Sequence, residues 1–303
     1  MPQRLVVVVG ATASGKSELA LAIAEACAGE VVSADAFAVY RDMDIGTAKP
    51  PLRDRARVPH HLIDVLAPED RCDAARWLAM AERAISDIAQ RGKLPVVAGG
   101  TPLYIKLLLE GLSGGPPRSE EVRARLRACD PHALWQELQR VDPAYARQRH
   151  PHDLRRIVRA LEVFHLTGRP YSSFHTTAGQ RRGDLQPLLI GLSWERPALH
   201  ARIGARTRAL FDAGLIDEVR RLRHRLSPEA AQAVGYKEVI AWLDAGAADE
   251  AQCRAAVETA TRRLARHQLT WLRRFPDIVW LPGDAPELRQ RALELVRTWL
   301  SAH

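Results

Sequence analysis

Residues 5–9, Leu5-Val6-Val7-Val8-Val9, form an unbroken apolar run, and an Ala- and Leu-rich stretch, 18–28, follows after a glycine-bounded loop. A continuous β-branched run predicts a strand buried on both faces, so the chain opens as strand, loop and helix. Residues 30–33 and 94–98 repeat the buried-strand pattern, with a helical stretch at 74–91 leading into the second. Residues 188–192 supply another, and after the mostly helical pattern of 197–275 residues 278–281 read as a last strand. Strands alternating with helices predict an α/β fold, a doubly wound parallel sheet whose ligands gather at the carboxyl ends of the strands.

The Gly/Pro-dense segment 111–117 reads as a linker. Beyond it the chain is helical and Arg-rich until a polar stretch at 176–184. The simplest division is an α/β core of residues 1–117 and 186–303, ending in C-terminal helices, with a helical insertion domain at 118–185. A chain of 303 residues is long enough for two unequal domains.

Charge changes the picture more than composition does. Apolar residues at 47% and charged residues at 26% are ordinary for a folded globular chain. The net charge of +8, however, is unevenly spread. Residues 1–117 hold 13 Lys and Arg against 14 Asp and Glu, residues 118–185 hold 13 against 8, and residues 186–303 hold 18 against 14. Residues 254–274 alone contain six arginines and one glutamate, which suits a polyanionic partner. A general preference for Arg over Lys, only five lysines being present, is the plainer competing explanation. Cys27, Cys72, Cys129 and Cys253 are too widely spaced for a metal or redox pair and read as reduced thiols. The apolar start is too short to span a membrane and runs straight into the loop, so no membrane association and a cytoplasmic location are expected.

Gly10-Ala11-Thr12-Ala13-Ser14-Gly15-Lys16-Ser17 matches the phosphate-binding loop (P-loop) pattern between a strand and a helix. Glycines let the backbone wrap a phosphate, the amides and helix dipole favour an anion, Lys16 adds a point charge, and Ser17 can hold Mg²⁺. The loop signals phosphate, not its fate. Enzymes that hydrolyse or transfer phosphoryl groups also place an Asp at the end of an apolar strand. Residues 94–98 run instead into Gly99-Gly100-Thr101, and Leu62-Ile63-Asp64 offers an acid after only a short apolar lead.

Beside the loop stand Ser33-Ala34-Asp35, Val39-Tyr40-Arg41, Met43-Asp44-Ile45-Gly46-Thr47-Ala48-Lys49-Pro50, His60-His61-Leu62-Ile63-Asp64, Gly99-Gly100-Thr101 with Leu103-Tyr104, residues 153–162, Val234-Gly235-Tyr236 and His267-Gln268-Leu269-Thr270-Trp271-Leu272-Arg273. Together they resemble the tRNA dimethylallyltransferase (tRNA isopentenyltransferase) family over nearly the whole chain. The resemblance implies that the loop holds the pyrophosphate of dimethylallyl pyrophosphate with Mg²⁺, and that the acceptor is the exocyclic N6 of the adenine 3′ to the anticodon in a tRNA anticodon stem-loop. It places Asp35 on the general base, and Thr101 and Arg206 on groups that grip the leaving pyrophosphate. It assigns tRNA contact to Asp35, Ala36, Phe37, Ala38, Thr101 and Arg123; to Arg155, Arg156, Ile157, Val158 and Arg159; to Gln232, Ala233, Val234, Gly235, Tyr236 and Lys237; and to Arg266, His267, Gln268, Leu269, Thr270, Trp271, Leu272 and Arg273. The chain is expected to act as a monomer. Ala11 stands where the family usually has Pro, Ala36 and Ala38 replace polar residues, and Asp42 replaces a common Gly.

The residue types suit that chemistry. An amine conjugated to a purine is a weak nucleophile, so a carboxylate is useful to take its proton. Fixed cations and amides stabilise the charge that grows on a departing pyrophosphate. Trp271 and Tyr236 are candidates for stacking on unpaired bases or for core packing. Arg155, Arg156 and Arg159 read as a phosphate-facing or merely solvated face, and His60 and His61 as packing or substrate contacts. The competing readings are a P-loop small-molecule kinase and an RNA-binding module.

Overall fold

The computed structural model describes residues 2–112, 115–174 and 180–302. Ser113 and Gly114 of the expected linker, and Thr176, Thr177, Ala178 and Gly179 of the polar stretch, lie outside them. The chain divides into two compact units, Met1–Leu109 with Gly183–His303, and Glu110–Arg182.

The first unit is built on a six-stranded, all-parallel sheet of β1 (Gln3–Gly10), β2 (Gly29–Ser33), β3 (His60–His61), β4 (Leu94–Gly99), β5 (Leu185–Ser193) and β6 (Val279–Pro282), in the order β3-β2-β4-β1-β5-β6. Its early helices are α1 (Lys16–Ala26), α2 (Leu52–Arg57), α3 (Ala74–Gln90) and α4 (Pro102–Glu110). In the second unit lie α5 (Glu120–Arg127), α6 (Pro131–Val141), α7 (Pro143–Ala146) and α8 (Leu154–Thr167). The first unit resumes with α9 (Arg196–Asp212), α10 (Leu215–Leu222), α11 (Tyr236–Asp244), α12 (Glu250–Leu272) and α13 (Leu288–Ser301). Among the described residues no helix is long and apolar enough to cross a membrane.

The valine run explains the layers. Side chains alternate across a strand, so Leu5, Val7 and Val9 enter one core with residues of α3, α4 and α9 to α12, while Val6 and Val8 enter another with α1 and α13. α3 starts at Asp73, whose side chain caps the Arg76 amide at 2.9 Å. It then places Trp77 where its indole donates to the Ser33 carbonyl at 3.1 Å and stacks on Tyr104 at 4.2 Å. The end of β2, and with it the segment leading to Asp35, is thereby fixed from below. β3 is only two histidines long and has no apolar run to announce it.

In the second unit α5, α6 and α8 close over Leu126, Leu134, Leu138, Ile157 and Leu161. Ser119, Asp130, Asp142 and Asp153 each cap the helix that follows. Glu162 is fully buried there and is met by Arg123, by Arg159 and by the Ser119 amide at 2.7 Å.

Candidate active site

β1 lies between β4 and β5, and the loops leaving β1, β2 and β4 converge at the carboxyl edge of the sheet, where this architecture collects its ligands. The loop after β1 turns through left-handed Ala13 (φ 64°) and Gly15 (φ 91°) before α1 begins at Lys16. A Cβ on Gly10 would sit 2.6 Å from the Ser14 Oγ, so a larger residue there would have to displace that hydroxyl. The helix starts two residues earlier than the Ala/Leu pattern indicates, because Lys16 and Ser17 form its first turn and share its unpaired amides.

The Lys16 ammonium is half-buried and donates to the Ala11 carbonyl at 3.3 Å. Burial first, then the Arg206 guanidinium, lower its pKa from 10.5 to about 8, with Asp35 opposing. Burial likewise lowers Arg206, and Asp35 opposes that too. Two half-buried cations beside a single carboxylate leave an excess of positive charge at this edge, which favours an anion.

Asp35 follows β2 by two residues. Its Oδ1 accepts the amides of Phe37 at 2.8 Å and Ala38 at 3.1 Å, a local turn that fixes the carboxylate and leaves Oδ2 outside both bonds. The carboxylate lines a cavity of about 110 Å³ together with Lys16, Ser17, Ser33, Gly99 and Arg206. An adjoining, more open cavity of about 480 Å³ is walled by the loop from Ala13 to Ser17, by Arg202 and Arg206, and by Ala48, Lys49, Pro50 and Arg53. β4 reaches this edge as Gly99, whose missing Cβ lets the Ala34 carbonyl pass; an alanine there would meet it at 2.2 Å. Thr101 opens α4 and donates its amide to the same carbonyl at 3.4 Å, but is not among the residues lining either cavity.

Several other residues at this edge owe their roles to partners distant in sequence. Lys49 lines both cavities, yet its ammonium is spent on the Tyr40 carbonyl, Asp44 and Asp64. Burial alone would push the Asp64 carboxyl up, but Lys49 and Arg55 hold it below the usual carboxylate range, so this acid is an ion-pair partner. His60 lines both cavities with Nδ1 on the Val58 carbonyl, and His61 meets buried Glu30 at 2.7 Å. Gln268 accepts the Thr12 amide at 2.8 Å and so fixes the phosphate loop from α12. Only the pairing of distant segments reveals these roles.

Residues 38–275 match the profile described as IPP transferase, and residues 3–57 the one described as isopentenyl transferase. The chain belongs to the IPP transferase family. A tRNA dimethylallyltransferase of Geobacter sulfurreducens is 46% identical to it over 289 residues, 93% of either chain. One from Anaeromyxobacter dehalogenans is 44% identical over 96% of this chain and 99% of its own. Among solved structures, the tRNA isopentenylpyrophosphate transferase of Bacillus halodurans superposes with a TM-score of 0.72 at 33% identity, covering 99% of this chain and 100% of that one. A eukaryotic dimethylallyltransferase described as acting on tRNA superposes at 0.85 with 27% identity, covering 99% of this chain and 80% of its own.

The segments expected to contact RNA divide by burial. Arg155, Arg156, Gln232, Lys237, Arg266, His267, Thr270 and Arg273 are exposed. Ala36, Phe37, Val234, Leu269 and Trp271 are half-buried, and Arg274 lies over the Trp271 ring at 5.0 Å. Ile157, Val158, Ala38, Ala233, Tyr236, Gln268 and Leu272 are buried, so their side chains serve packing or internal hydrogen bonds. Of the two readings left open for Tyr236, the structure takes core packing: it is fully buried, with its hydroxyl on Glu218. Gly235 (φ 98°) turns the chain into α11. Arg123 and Arg159 are engaged with Glu162, which neutralises part of the basic face expected there. Asp42, standing in place of the common Gly, takes φ 66°, a conformation Asp tolerates better than most L residues.

Proposed function

We propose that this chain transfers the dimethylallyl group of dimethylallyl pyrophosphate to the exocyclic N6 of the adenine 3′-adjacent to the anticodon in tRNA, releasing pyrophosphate. The observation that carries this reading is the convergence of one carboxylate, Asp35, with the phosphate loop, Lys16 and Arg206 around connected space at the sheet edge. The named relatives and the exposed arginines of α8 and α12 support a tRNA acceptor.

In the proposed reaction the N6 nitrogen forms a bond to the allylic carbon as the C–O bond to pyrophosphate breaks, and the nitrogen's proton passes to the Asp35 carboxylate. The Phe37 and Ala38 amides hold that carboxylate on Oδ1. Lys16, Arg206 and the loop amides receive the electron pair's charge on the leaving oxygen, and gain strength as it grows. Ser17 Oγ, an oxygen donor in the exposed first turn of α1 and lining both cavities, would hold Mg²⁺ with the phosphate oxygens. No cluster of three or more His, Cys, Asp or Glu able to hold a metal occurs among the described residues, so substrate and water would complete its shell. When bound, Mg²⁺ supplies further charge neutralisation on the pyrophosphate.

Incubating the protein with dimethylallyl pyrophosphate, ATP and unmodified tRNA tests the reading. Prenylated tRNA with pyrophosphate release is expected by mass analysis. ADP with a phosphorylated small molecule, and no prenylated tRNA, would replace it with the kinase reading.

A further inference from the structure

We propose that Trp194 and Arg202, which lie outside the phosphate-loop motif, are positioning residues that hold the loop in its anion-binding shape. The proposal rests on the reading that this loop binds pyrophosphate. A loop whose amide hydrogens converge on an anion turns its carbonyls outward, and those carbonyls need donors of their own. In the left-handed stretch this need is acute, because Ala13 at φ 64° has no glycine's freedom and stays there only if its surroundings determine it.

The donors come from another part of the chain. Arg202 Nε donates to the Ala13 carbonyl at 2.7 Å, and Trp194 Nε1 donates to the Ser14 carbonyl at 2.9 Å. The two donors are one unit, since the Arg202 guanidinium lies over the Trp194 ring at 4.4 Å and each orients the other. Trp194 leaves the end of β5 and Arg202 sits in α9, so the sheet and its following helix together carry the brace. Space for the indole is reserved as well: a Cβ on Gly283, just past β6, would lie 2.0 Å from Trp194 Nε1. Arg202 is exposed, which separates its task from core packing. Positive charge alone does not account for the arrangement, because Nε bonds a neutral carbonyl and the guanidinium plane is fixed by stacking.

The test is calorimetric binding of inorganic pyrophosphate with Mg²⁺ to the wild type, Arg202→Lys and Trp194→Phe, with melting temperature, tRNA affinity and hydrogen exchange of the loop amides measured in parallel. Losing one hydrogen bond and its stacked partner should weaken pyrophosphate binding about tenfold in each variant. The double variant should lose little more than either single one, because the pair acts together. Loop amides should exchange faster in both, while melting temperature and tRNA affinity stay at wild-type values. Arg202→Lys keeps the charge, so wild-type pyrophosphate affinity in that variant overturns the brace. Unchanged amide exchange in both variants overturns it too. A wild type that binds no pyrophosphate refutes the proposed donor site instead, and the exchange measurement then decides the brace alone. Should Trp194→Phe fold poorly, Arg202→Lys, at an exposed position, still gives the answer.

Discussion

Lys16 waits among cations. With its pKa lowered to about 8 by burial and by Arg206, it is partly neutral in mildly alkaline solution, and a pyrophosphate bound at the proposed site would restore the proton. Below about pH 8 the lysine is charged before and after binding; above it, binding takes up a proton and affinity falls as pH rises. Calorimetry near pH 9 in buffers of different ionisation enthalpy should register that uptake, and Lys16→Met should reduce it to what pyrophosphate itself contributes, with much weaker binding. The same shift means the folded protein binds fewer protons than the unfolded chain between about 8 and 10.5, so the lysine's contribution to stability rises with pH across that window. Asp35 permits a cleaner separation. An Asn amide oxygen can still accept the Phe37 and Ala38 amides, so Asp35→Asn should keep donor and tRNA affinity while single-turnover prenylation falls by roughly 10²–10⁴. Lys16 stood out in the sequence through its fixed spacing to two glycines, whereas the role expected of Asp35 came from the family resemblance, its place just beyond a buried run saying only that it lies at the ligand edge of the sheet. Thr101 was read beside them, and the structure sets it at the opening of α4, outside the lining of the two cavities.

Between β2 and α2 the chain wraps around a carboxylate from far away. Buried Glu218 of α10 accepts the amides of Asp44 at 2.9 Å, Ile45 at 2.8 Å and Gly46 at 3.0 Å, and the Tyr236 hydroxyl besides. Tyr236 presses so closely that a Cβ on Gly46 would come within 2.3 Å of its ring. This loop brings Ala48, Lys49 and Pro50 to the cavity wall, so its rigidity is part of the site. Tyr236→Phe removes one donor of four and should cost about 1 kcal/mol in urea unfolding, with the slope of the transition unchanged. Glu218→Ala strands three amides and should cost about 3 kcal/mol or more and abolish activity. The segments around Gly46 and Tyr236 stood out in the sequence, but their mutual contact did not, because nothing in local pattern states that a glutamate in α10 joins them. β3 escaped for a related reason: two histidines carry no hydrophobic period, and their strand exists only through pairing with β2.

For the molecule as a whole, the uneven charge has a measurable outcome. If Arg155, Arg266 and Arg273, all exposed, meet tRNA phosphates, replacing the three by Gln should flatten the log–log salt dependence of tRNA affinity by about 0.7–0.9 per lost contact. Donor affinity should barely change. Arg159 is left out of that set because Glu162 and the Pro116 carbonyl already hold it. The parallel sheet was legible because every long strand is a buried apolar run, whereas the support of the phosphate loop was not. Its motif ends at Ser17, but the Thr12 amide is met by Gln268, 256 positions later, and the Ala13 and Ser14 carbonyls by side chains nearly two hundred positions away. Seen in the order a ribosome makes the chain, the motif emerges first and its last tether close to the end. A nascent chain halted before α12 appears would carry every residue of the loop together with Trp194 and Arg202 and still lack the Gln268 acceptor for the Thr12 amide, so the loop's tethers are complete only once α12 has emerged.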